Sequence, residues 1–92
     1  MYIHLVYYSG DRSLVENIKK DGSAGIVADK MFFLDAVDND GDALRFQHNN
    51  GSHFDVIFLQ EEQAQEVYGD ILAAIREGET LLETDIREKQ VF

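Results

Sequence analysis

Apolar residues recur with two different periods along this chain, and the change of period separates its strands from its helices. The opening run Tyr2-Ile3-His4-Leu5-Val6-Tyr7-Tyr8 is dense in β-formers and almost unbroken, so it reads as a strand covered on both faces. Ser9-Gly10-Asp11-Arg12 ends it. Leu14, Val15 and Ile18 then share a helical face, Ser13 and Glu16 have capping-box spacing, and Lys19, Lys20 and Gly22 suit a helix end. This predicts a short helix over 13–21, with a strand returning from a hairpin as the alternative. From residue 25 to 39 the chain reads as extended, and strands over 42–48 and 53–59 follow it.

Two similar loops, Asn39-Asp40-Gly41 and Asn49-Asn50-Gly51, punctuate this extended region. Each puts glycine third, where a three-residue hairpin loop needs a left-handed residue. Taken literally, the first loop sets Ala36 opposite Leu44, Asp35 opposite Arg45 and Leu34 opposite Phe46. The second sets Phe46 opposite Phe54, Arg45 opposite Asp55 and Leu44 opposite Val56. One face of this β-meander over 31–59 then collects Phe32, Leu34, Ala36, Leu44, Phe46, Phe54, Val56 and Phe58. The other face centres on the ionic row Asp35–Arg45–Asp55, with Phe33, Val37, Ala43, Ile57 and Leu59 around it.

From Glu61 the period becomes helical. Ala64, Val67, Tyr68, Ile71, Leu72 and Ile75 form one stripe over 61–77, Glu61 and Glu62 suit the positive end of the helix dipole, and Gly78 can stop it. This helix is expected to cover the aromatic face. In the tail 80–92, Thr80 and Glu83 again have capping-box spacing, which predicts a docked short helix or a partly frayed end. The fold class expected is α+β: an antiparallel sheet of four to five strands, in the order β-α-β-β-β-α. A chain of 92 residues suits a single domain.

Charge then narrows the function. Eighteen acidic residues against eight basic ones give a net charge of −10, densest in residues 61–92. Such a surface repels nucleic-acid phosphates and anionic membranes and favours a basic protein partner. The absence of cysteine excludes disulfides and thiolate chemistry. With no basic segment ahead of the short apolar run at 2–8, a cytoplasmic location is expected.

Motifs for catalysis or cofactors are missing. There is no phosphate-binding glycine loop or GxSxG elbow, and no cofactor is expected. An EF-hand register through Asp38, Asp40 and Gly41 would put Ala36 and Gln47 where acidic ligands are needed. His4, His48 and His53 form no HxH or HExxH pattern, and the hairpin register sends His48 and His53 to opposite faces, so no metal site is assigned.

The reading that remains is a non-catalytic acidic interaction module. Its partner-binding residues would be Glu62, Glu66, Asp70 and Glu77 on the outer helix face, with Asp38, Asp40 and Asp42 as a second patch. In its sharpest form it inhibits a partner by occupying a basic groove that otherwise holds nucleic acid. The alternatives are a small metal-dependent or acid/base hydrolase using His53 and Asp55, or a subunit of a homo-oligomer such as a dimer, whose second copy covers the outer face of the meander.

Overall fold

A computed structural model describes residues 1–92 as eight elements. They are β1 (Tyr2–Ser9), α1 (Arg12–Asp21), β2 (Ile26–Asp40), β3 (Ala43–His48), β4 (Ser52–Ile57), α2 (Glu61–Arg76), β5 (Leu81–Asp85) and α3 (Arg87–Val91). The strands form one sheet in the order β4-β3-β2-β1-β5. No helix is long and apolar enough to cross a membrane.

The α+β class holds, but the sheet is mixed rather than antiparallel. β5 runs parallel to β1, pairing Tyr2 with Leu81 and Val6 with Asp85. The expected order therefore gains a strand and a short helix after α2. Residues 81–85 form a strand and not the helix that the Thr80–Glu83 spacing suggested. The reason is non-local: β1 has a free edge there, and its backbone groups need partners. α1 occupies Arg12–Asp21, and its cap is Asp11 rather than Ser13, with the Asp11 carboxylate accepting from the Leu14 N–H at 3.1 Å.

The second hairpin has the register expected of it, with Leu44 opposite Val56, Arg45 opposite Asp55 and Phe46 opposite Phe54. The first does not. Its turn is the two residues Gly41 and Asp42, with a positive φ of 59° at Gly41 alone, as a two-residue turn with glycine first requires. Asp38, not Asp35, now faces Arg45, and Val37 faces Phe46. A shift of three residues would ordinarily swap the two faces of β2. A bulge between Leu34 and Ala36 absorbs the odd residue, so Leu34 and Val37 both point inward. Burying Val37 in place of Ala36 adds apolar volume, at about 0.8 kcal/mol per buried CH₂. The displaced Asp35 accepts a hydrogen bond from the Asn50 N–H at 3.3 Å.

The inner face of the sheet gathers Ile3, Leu5, Phe32, Leu34, Val37, Leu44, Phe46, Val56 and Phe58. α2 closes it with Ala64, Val67 and Ile71. Phe46 stacks on Phe54 with centroids 5.3 Å apart, and Tyr7 from β1 stacks on the same ring at 5.3 Å. The sheet is therefore curled enough to bring β1 over β4. β1 is buried on this side only, with Tyr2 exposed on the other, so the expectation of two covered faces fails.

One buried polar side chain locks the curl. Gln90, on α3, is fully buried. Its Oε1 accepts from the Tyr8 N–H at 2.7 Å, and its Nε2 donates to the carbonyls of Tyr8 and Ile57 at 3.0 Å each. β5 ends opposite Val6, so this amide continues the ladder along β1 where the strand itself has stopped. The Gln90 carbonyl also accepts from the Leu59 N–H at 3.0 Å. The tail is thereby tied to the ends of β1 and β4 together.

Candidate acidic interface

The seven carboxylates expected to bind a partner divide by their neighbours. Lys89 on α3 reaches Glu66 at 3.3 Å and Asp70 at 3.1 Å, and this pairing raises the lysine's pKa, with Asp70 as the largest cause. Arg12 pairs with Asp42 and, at 2.8 Å, with Glu16. Glu62, Glu77, Asp38 and Asp40 have no cation within ion-pairing distance of this kind and are exposed.

Asp38 and Asp40 are neighbours on the outward face of β2, and Asp40 lies near Glu61. The turn between β2 and β3 packs beside the first turn of α2, where a side chain built on Gly41 would meet the Glu61 carboxylate at 3.5 Å. Asp40, Asp42, Gln60 and Glu61 line one open cavity of about 560 Å³, with Arg12 at its wall. Asp38 and Asp40 line a second of about 260 Å³ together with Arg45 and Asp55. The loop patch thus meets the N-terminus of α2 at Glu61, a residue outside the expected helix patch. Glu77 does not join them, because it caps the far end of α2, about 24 Å along the axis.

Local structure explains why this corner is negative. Glu61 and Glu62 occupy the first turn of α2, where the helix dipole favours anions, and Gln63 accepts from the Gln60 N–H at 3.2 Å to start the helix. Asp38 and Asp40 alternate outward along β2 while Val37 and Asn39 turn in. Arg12 supports the corner from below, donating to the carbonyls of Phe58 and Leu59 at 3.3 and 3.1 Å.

Glu61 and Arg12 were not singled out by sequence reasoning. Glu61 carried only a helix-dipole signal, and the one local partner of Arg12 is Glu16, four residues on, its other partners lying 30 to 47 residues away.

The hydrolase pair is placed differently. His53 and Asp55 share the outer face of β4, and His53 sits opposite Gln47 while His48 sits opposite Ser52 on the inner side. Asp55 is held bidentately by Arg45, at 2.9 and 3.3 Å, and that hydrogen-bonded guanidinium lowers the Asp55 pKa from its ordinary value. A carboxylate committed in this way is a poor base, and the cavity beside it does not include His53. No three histidine, aspartate or glutamate side chains converge as a metal-ligand set.

Comparison with protein-family models, with curated proteins and with solved structures found no match.

Proposed function

We propose that the chain is a non-catalytic interaction module that presents the corner formed by Asp38, Asp40, Glu61 and Glu62 to a basic protein partner. The observation that carries this reading is the meeting of the turn and the α2 N-terminus, which puts unpaired carboxylates from two segments on one exposed surface. The net charge of −10 supports it, because a partner surface of the same sign or a phosphate backbone is repelled. Along α2, Glu66 and Asp70 follow Glu62 at i, i+4 intervals of about 6 Å along the axis, but both already share Lys89. The carboxylates left free at the corner suit a groove lined by lysine and arginine, so the specific form of the proposal is a module that occupies the nucleic-acid groove of its partner.

Competition tests that form. A partner captured from the native cell on immobilised protein is expected to be released by duplex DNA or RNA, at a concentration where an uncharged polymer releases nothing. Retention of the partner under saturating nucleic acid would show that the groove is not the contact.

A further inference from the structure

The strand ladder stops short of the acidic corner. It ends with the hydrogen bond from the Phe58 N–H to the Asp42 carbonyl at 2.8 Å, just past the Ala43–Ile57 pair. α2 begins only at Glu61, and Leu59, between the two, has no strand partner. Contacts from outside the sheet therefore fix where α2 starts relative to the β2–β3 turn. The Leu59 N–H donates to the Gln90 carbonyl at 3.0 Å, and the Leu59 carbonyl accepts from Arg12 at 3.1 Å.

One guanidinium makes the ties on the corner side. Arg12 opens α1, and its Nε donates to Glu16 one turn on at 2.8 Å, which anchors the side chain to its own helix. Nη1 donates to the Asp42 carboxylate and to the Phe58 carbonyl, the latter at 3.3 Å, while Nη2 takes Leu59. Three segments (α1, the β2–β3 turn and the approach to α2) are thus joined through a single planar group. Its fixed fork of donors can serve several acceptors at once, as a lysine ammonium on a flexible stem cannot.

We propose that Arg12 is the positioning residue of the acidic corner, holding the Asp42 carboxylate and the Leu59 carbonyl together so that Asp40 and Glu61 face one cavity. This role presupposes the reading of the corner as a binding surface. Arg12 is also the only cation lining that cavity. As a charge it weakens the corner's attraction for a basic partner. As a clamp it preorganises the carboxylates, so that less ordering is needed on binding. The two roles oppose each other, and the bonds to two uncharged main-chain carbonyls belong to the clamp.

Arg12→Lys keeps the charge and loses the fork, which separates the roles. In the wild type a proton NOE between Gly41 and the Glu61 side chain is expected, because the two are in near contact. In the lysine variant that NOE should be lost with an unchanged helix signal. Its affinity for a synthetic decalysine peptide at fixed ionic strength should fall about threefold, as when a side chain once held in place must be ordered on binding. If the variant does not fold, the wild type decides: a clamped fork gives separate Nη proton signals for Arg12, and one averaged signal would overturn the proposal. An NOE that persists in the lysine variant would overturn it too. Loss of the NOE with no effect on decalysine binding, or with a wild type that does not bind decalysine, supports the clamp and tells instead against the corner as a binding surface.

Discussion

Phe46→Ala is expected to cost about 3–5 kcal/mol of stability, the range for truncating a buried phenylalanine. Phe46 is fully buried at the centre of the inner face. It stacks on Phe54 and meets Phe32 edge to face at 6.1 Å, so its loss removes two aromatic contacts as well as area. α2 closes over this face, and the β3 backbone that carries Phe46 is fixed by ladders to β2 and β4 on both edges, so it cannot move in to fill the space without losing them. For a domain of this size each kcal/mol lowers the unfolding midpoint by roughly 4–8 °C, so the expected drop is at least ~12 °C. Calorimetry of the two proteins measures it, and a drop of only a few degrees would show that the core tolerates the cavity.

Gln90→Leu separates two accounts of the tail. If burial alone fixed α3, a leucine of similar volume at a fully buried position would be neutral or stabilising. If the hydrogen bonds fix it, leucine strands the Tyr8 N–H and the carbonyls of Tyr8 and Ile57 without partners. An unsatisfied buried group costs about 1–3 kcal/mol, and these three are part-buried, so a total loss of about 2–3 kcal/mol is expected. Urea unfolding gives the difference, and hydrogen exchange should show the Tyr8 amide losing its protection first. Equal stability of the two proteins would refute the structural role given to this amide.

Much of the fold was legible in residue spacing. The α2 stripe, the β3–β4 register and the opposed placement of His48 and His53 all follow from period and turn chemistry. The first hairpin was less legible for a reason its own residues show. Asn39-Asp40-Gly41-Asp42 fits glycine as the last residue of a three-residue loop or as the first of a two-residue turn, and local geometry permits both. Packing decides between them, because the chosen register and its bulge bury Val37 as well as Leu34. β5 was illegible for a related reason: Leu81, Leu82 and Glu83 are good helix formers, and pairing with the free edge of β1 overrides that preference. Gln90 looks like any surface glutamine until Tyr8 and Ile57 are brought to it. The acidic corner was half legible, since its carboxylates were visible but the contact between Gly41 and Glu61 that joins them depends on the register of the first hairpin.

The most direct test of the acidic corner is the affinity of a captured basic partner for the wild type and for an Asp40→Lys/Glu62→Lys double variant. Both positions are exposed and outside the protein's own ion pairs, so the fold should be retained. Binding is expected to weaken on the order of tenfold or more, equivalent to at least ~1.4 kcal/mol. Glu77→Lys, at the distant end of α2, should leave it nearly unchanged. Equal affinity of the double variant and the wild type would contradict the account.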